Sequence, residues 1–262
     1  MAPKRIIALH GKGQSGASFR RNIQPLLQRL PDDDVTVKFL DAPWELGNSG
    51  GAWWRLPPGV RSYDAKHYEG VDRSLEQLAA EWEHGDVYGL VAFSQGAILL
   101  SFFLAANMQL RLARQPALLP RKALLIGGSW PNPYTEVMES LKALPAEGLA
   151  LLGCDVLTVA GERDDVNPME MALAVSRCFG GAASVHMHPG KHIVPLDDAS
   201  LDVMSRFLLS ACGCEVAEPP AIEPAALAAA ANAVAPAAAS AATLAAPPAT
   251  ASAQPSQSAA SQ

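Results

Sequence analysis

The run VYGLVAF, Val87 to Phe93, constrains the fold more than any other stretch of the chain. It carries no charge and has the length of a strand. A strand that is apolar on both faces must be covered on both faces, which makes it a central strand of a parallel sheet with helices above and below. Similar short runs recur at Arg5 to His10, Val35 to Pro43, Lys122 to Gly128, Asp155 to Gly161 and Ala183 to His188. Segments with helical spacing lie between them. Ser18 to Leu30 reads as one helix, despite Pro25. Glu69 to His84 places Val71, Leu75, Leu78, Ala79 and Trp82 on one face. Gly96 to Leu110, Met169 to Phe179 and Asp198 to about Ala211 complete the series. Strands alternating with helices predict an α/β domain with a mainly parallel central sheet and helices on both faces.

That pattern stops near Cys214. From Ala217 to Gln262 nearly half the residues are alanine, and aromatic residues, lysine and arginine are absent. Prolines at 219, 220, 224, 236, 247, 248 and 255 leave room only for short helical pieces, such as Glu223 to Val234. The expected organisation is a single folded domain over residues 1–215 and a mostly disordered tail over 216–262. With 49% hydrophobic residues, the folded part has enough material for a sizeable core. A net charge of −6 and the lack of any Lys/Arg-rich run give no support to a nucleic-acid role. The apolar run near the N-terminus is only four residues long, too short for a secretory signal, and no run has the length of a membrane span. Cys154 and Cys178 sit singly in apolar surroundings, and Cys212 and Cys214 are too close in sequence for a structural zinc pair. The expectation is a chain with reduced thiols and no metal, in the cytoplasm, with the nucleus as the other compartment that fits.

In a parallel sheet of this kind functional residues gather in the loops at the carboxyl ends of the strands. The run Ala92-Phe93-Ser94-Gln95-Gly96-Ala97 places a serine at such an end, between a strand and a helix. It resembles a nucleophile elbow, which needs small residues two before and two after the serine, although Ala92 stands where glycine is usual. The competing explanation is a serine that merely caps the helix. A serine nucleophile needs a base and an acid, in the chain order serine, acid, histidine. GERDDVNP offers Asp164 or its neighbour Asp165, directly after a strand. HPGKHIVP offers His192, which lies beyond Pro189 and Gly190 in a loop able to reach over the sheet edge. His186 and His188 share one face of a strand, where structural roles are expected. His10 precedes the serine in the first glycine-rich loop, and His67 and His84 read as surface residues. Two oxyanion donors are needed: the backbone N–H of Gln95, after the nucleophile, and that of Lys12 or Gly13 in HGKGQSG. Trp53 and Trp54, in a glycine-rich segment, are candidates for lining an acyl pocket, or else a core pair under the loop.

Taken in order, ALHGKGQSGASFR, DAPW, GGAWW, AFSQGA, GERDDVNP and HPGKHIVP resemble the FSH family of serine hydrolases, in the α/β-hydrolase superfamily, over roughly Lys4 to Leu209. The resemblance implies Ser94 as nucleophile, Asp164 as the acid, His192 as the base, and a Trp53–Trp54 segment beside the active site. Ala92 and Lys12 depart from the family pattern without removing a reacting group. The implied activity is hydrolysis of carboxylic esters or thioesters of small acyl substrates through an acyl-enzyme, with no metal or organic cofactor and with no nucleic-acid partner. Two other readings fit the same residues: a catalytically inactive binding module on this fold, and a peptidase.

Overall fold

The chain order is β1 (Lys4–Leu9), α1 (Gly16–Asn22), α2 (Gln24–Leu27) and β2 (Val35–Leu40), then a short antiparallel ribbon of β3 (Trp44–Glu45) and β4 (Gly51–Ala52). There follow α3 (Val71–Glu83), β5 (Gly89–Phe93), α4 (Gln95–Leu112), β6 (Lys122–Ile126), α5 (Thr135–Lys142) and α6 (Ala146–Ala150). The last elements are β7 (Asp155–Gly161), α7 (Met169–Cys178), β8 (Ala183–His188) and α8 (Asp198–Leu209). This computed structural model describes residues 3–47, 50–84, 87–115 and 117–210. Cys212, Cys214, the candidate helical piece Glu223 to Val234 and the boundary expected at 215/216 lie outside the described residues.

Six strands pair in parallel in the order β2-β1-β5-β6-β7-β8. All of β5 is buried, as its composition required. Alternation along the strands divides the core into two layers. Ile6, Ala8, Val91, Phe93, Leu124, Ile126, Leu157 and Val159 face Phe19 of α1, Leu26 of α2, and Leu201 and Met204 of α8. Ile7, Leu9, Leu90, Ala92, Ala123, Leu125 and Val156 face α3, α4, α5 and α7. Helices therefore cover both faces. Among the described residues no helix is long and apolar enough to cross a membrane.

The segment Ser18 to Leu30 is not one helix. Ile23, at φ −101° and ψ 15°, ends α1 and opens α2. In a continuous helix the ring of Pro25 would collide with the carbonyl of Arg21 and leave it without a donor; in the first turn of a new helix its missing N–H has no partner to lose. Helices α5 and α6 were not read from the sequence, being short and broken up by Pro133 and Pro145.

Two features of this frame position the site. The chain leaves β1 toward β2 on one side and later returns to add β5 on the other, so a crevice opens between the carboxyl ends of β1 and β5. At the opposite end of the sheet the end of α8 is tied down. Lys4 Nζ donates to the Leu209 carbonyl (3.3 Å), the Tyr88 hydroxyl to the Ser210 carbonyl (3.1 Å), and Lys122 Nζ to Ser210 Oγ (3.0 Å). Lys122 is buried and paired with Asp155 at 2.6 Å.

Candidate active site

Ser94 occupies the turn between β5 and α4 with φ 54° and ψ −119°. A non-glycine residue at such φ is strained, and strain of this kind collects at functional turns. The turn is held by the Ser94 N–H donating to the Ile126 carbonyl (2.9 Å) and the Ile98 N–H to the Ser94 carbonyl (3.0 Å). Gly96 is required there: a Cβ at this position would lie 2.7 Å from the Leu9 carbonyl oxygen and 2.8 Å from that of His10. Ala92, which departs from the elbow pattern, sits in regular strand pairing and is fully buried. The strain falls on Ser94 instead.

The loops after β7 and β8 bring the other two groups to this serine. His192 Nε2 lies 2.8 Å from Ser94 Oγ, and His192 Nδ1 lies 2.7 Å from Asp164 Oδ2. With Asp164 ionised, the Nδ1–H donates to the carboxylate, which leaves Nε2 to accept from the serine hydroxyl. Asp164 Oδ1 accepts from the N–H groups of Val166 (2.9 Å) and Asn167 (2.8 Å). Burial alone would push this carboxyl up, but the bonds from His192, Asn167 and Val166 outweigh it and hold it below its ordinary 3.8. Asp165 points away: its side chain is 70% exposed, 3.8 Å from Lys191 Nζ. Of the two acids, Asp164 is the one bonded to His192.

The loop carrying His192 is fixed at both ends. Glu162 N–H donates to the His188 carbonyl (2.9 Å), Arg163 N–H to the Gly190 carbonyl (3.1 Å) and Arg163 Nε to the Pro189 carbonyl (2.6 Å), which joins the acid and base loops. Gly161 lets them meet, since a Cβ there would lie 2.5 Å from the Lys191 carbonyl oxygen. Downstream, His186 Nε2 is 2.9 Å from Ser200 Oγ, which donates to Asp197 Oδ2 at 2.7 Å, tying β8 to the start of α8. His188 is buried, and burial, then the neighbouring His186, lowers its pKa. Both histidines hold structure, as their place on one strand face implied. His67 and His84 are exposed.

His10 is fully buried, and burial lowers its pKa against the raising influence of its bond to the Gly11 carbonyl. It is neutral, with Nδ1–H donating to Gly11 (2.8 Å) and Nε2 accepting from the Ala42 N–H (3.0 Å). The loop it begins passes close to Ser94; a Cβ on Gly11 would touch Ser94 Cβ at 3.1 Å. Gly11 N–H donates to Gln14 Oε1 and Gly13 N–H to the Gly51 carbonyl. Among the described residues no acceptor faces the N–H of Lys12 or that of Gln95.

The aromatic pair is placed differently from the acyl-pocket expectation. Trp53 and Trp54 have no exposed surface. Trp53 Nε1 donates to the His10 carbonyl (2.7 Å), and Trp54 stacks on Tyr68 with ring centroids 4.2 Å apart. Both indoles are core, because the ribbon draws this segment under the loops: a Cβ on Gly51 would lie 3.1 Å from the Ala42 carbonyl oxygen. Asn167 was not singled out from the sequence. It is buried, and its Nδ2 donates to the Gly127 carbonyl (2.7 Å), which anchors the acid loop against the loop after β6. The sequence carries no signal for that bond, since an aspartate side chain accepts from a nearby backbone N–H whatever side chain stands there. Among the described residues no three His, Cys, Asp or Glu side chains gather as metal ligands would.

The arrangement is a hydroxyl, an imidazole and a buried carboxylate in one hydrogen-bonded line. Comparison with known proteins leads the same way. A family model described as serine hydrolase (FSH1) matches residues 1–204. The protein esterase OVCA2 of Danio rerio is 28% identical over 231 residues, covering 79% of this chain and 96% of its own. Its Xenopus tropicalis counterpart is 27% identical over 226 residues, covering 78% of this chain and 91% of its own. Among solved structures, esterase PE8 matches with a TM-score of 0.59 at 21% identity, over 79% of this chain and 92% of that one. Acyl-protein thioesterase 2 of Zea mays matches with a TM-score of 0.58 at 19% identity, over the same 79% and 92%. At those identities the two structures speak to the fold.

Proposed function

The chain belongs to the serine hydrolase (FSH1) family and has the α/β-hydrolase fold, and from that premise we propose that Ser94, His192 and Asp164 act as a catalytic triad on carboxylic esters or thioesters of small acyl substrates. The observation that carries this reading is the unbroken relay from Asp164 Oδ2 through His192 to Ser94 Oγ, with both links under 3 Å.

Ser94 Oγ attacks the acyl carbon while its proton passes to His192 Nε2. Asp164 holds the ring in the needed tautomer and offsets the charge of the imidazolium, and its depressed pKa keeps it ionised for that work. The N–H groups of Lys12 and Gln95 receive the developing oxyanion. His192 then returns the proton to the leaving alcohol or thiol, and the acyl group stays on Ser94. Water attacks this ester with His192 again as base, releasing the acid and restoring the serine. Each step uses groups of this chain and water alone. The burial of Trp53 and Trp54 supports a bracing role for them rather than direct contact with the acyl chain.

The test is a fluorophosphonate probe followed by peptide mapping, with turnover of p-nitrophenyl esters from short to long chain. Modification at Ser94, lost in Ser94→Ala along with all turnover, is expected. Folded protein that takes no label and hydrolyses no ester or thioester would overturn the proposal.

A further inference from the structure

The two amides assigned to the oxyanion come from different parts of the chain. Lys12 N–H belongs to the loop after β1, and Gln95 N–H to the first turn of α4. Their spacing must be held within fractions of an ångström for both to reach one oxygen. The segment Gly51 to Trp54 touches both parts. Toward the β1 loop, the Gly51 carbonyl accepts from Gly13 N–H (2.8 Å), Gly51 N–H donates to the Gln14 carbonyl (2.7 Å) and Trp53 Nε1 donates to the His10 carbonyl (2.7 Å). Toward the elbow, the segment is met by one side chain. Gln95 Oε1 accepts from the Trp53 N–H and Gln95 Nε2 donates to the Trp54 carbonyl, both at 2.9 Å. The orientation of the side-chain amide follows from these partners, because the Trp53 N–H needs an oxygen and the Trp54 carbonyl an N–H.

This use of a glutamine is unusual for its place. The first residue of a helix ordinarily sends a long polar side chain into solvent, whereas Gln95 is only 4% exposed. Its amide behaves as one more peptide group paired with the Trp53–Trp54 backbone. Behind the segment, Ser74 Oγ of α3 donates to the Trp53 carbonyl. The segment is thus fixed from the rear and clasped in front.

We infer that the Gln95 side chain is a positioning residue: by clasping the Gly51–Trp54 segment, which itself holds the β1 loop, it sets the distance between the Gln95 and Lys12 N–H donors. The inference rests on the triad reading above. It gives Gln95 two separable duties, the backbone N–H touching the oxyanion and the side chain setting where that N–H stands.

The test compares wild type with Gln95→Met, which keeps the length of the side chain and the backbone N–H but removes both clasp bonds. Rates are taken on a p-nitrophenyl ester and normalised to active sites titrated with the fluorophosphonate. A displaced donor is expected to lower kcat per active site by roughly 10- to 100-fold, short of outright loss of a donor, with KM within about threefold. Affinity for an alkyl boronic acid, whose adduct with Ser94 places a charged oxygen at the same donors, should fall by a similar factor. Trp53→Phe, which drops the bond to His10 and leaves a small gap in the core but keeps the Gln95 clasp, should shift kcat in the same direction by less. If Gln95→Met does not fold, Gln95→Asn, whose amide is one methylene too short to hold both backbone groups, decides by the same measurements. A merely structural role would lower the melting temperature and the titrated fraction while leaving kcat per site within twofold, and that result overturns the inference. A rise in KM at unchanged kcat also overturns it, since it would make Gln95 a substrate contact. Absence of label and turnover in the wild type would instead overturn the triad reading, so the two failures are distinct.

Discussion

Ser94 is held in a backbone conformation that a glycine would adopt freely, at φ 54°. That conformation aims the hydroxyl out of the sheet at His192, and the rest of the fold supplies the energy that holds it. Two variants separate the strain from the chemistry. Ser94→Ala and Ser94→Gly both lose the hydroxyl and its bond to His192, but only glycine relieves the backbone. Ser94→Gly is expected to be more stable than Ser94→Ala by about 1–3 kcal/mol. For a domain of this size each kcal/mol is worth about 2–4 °C in melting temperature. Equal melting temperatures would place the strain elsewhere. The polar groups of the relay were readable in the sequence because each interrupts an apolar run or lies in the loop that follows a strand. Trp53 and Trp54 were harder. Two large aromatics among glycines look like a surface loop, and the hydrogen bonds that bury them run to backbone groups of His10 and to Gln95, which sequence proximity does not reveal.

The elements explain how the residues of the proposed triad, 98 positions apart at the extreme, keep their distances. β8 is paired with β7 along its whole length, and the loops beyond them are bonded to each other. Gly161, the last residue of β7, is where they press together. Gly161→Ala is expected to force the Lys191 carbonyl away, costing about 1–3 kcal/mol of stability as overpacking does. His192 is next to that carbonyl, so kcat per active site should also fall by at least about tenfold. A variant with a lowered melting temperature and normal kcat per site would show that the loop yields without moving the base. At this scale the strands were legible because runs such as Gly89–Phe93 are apolar on both faces, and the observed Asp155–Gly161 and Ala183–His188 coincide with the expected bounds. The break at Ile23 was not, because Pro25 can sit in the first turn of a helix as well as end one. The hydrogen bonds decide between these, and they are a property of the packed chain.

At the scale of the molecule, the sheet and every group of the relay lie between Lys4 and Ser210. A chain ending at Glu215 is therefore expected to keep its melting temperature within about 2 °C, the shift expected of less than 1 kcal/mol, and kcat within about twofold. Loss of folding or turnover on this truncation would place the domain boundary later than the composition suggests. The strand order was beyond sequence reasoning, since alternating strands and helices fit several orders. It is the order that sets the carboxyl ends of β1 and β5 side by side, and with them the loop of Lys12 and the start of α4 at Gln95. The bonds that tie Leu209 and Ser210 to Lys4, Tyr88 and Lys122 fix the end of α8 at the amino ends of the strands, while the relay stands at the carboxyl ends. Enzyme coupled to a bead or an electrode just beyond Ser210 would consequently face outward, with its mouth toward the bulk liquid and its base toward the support.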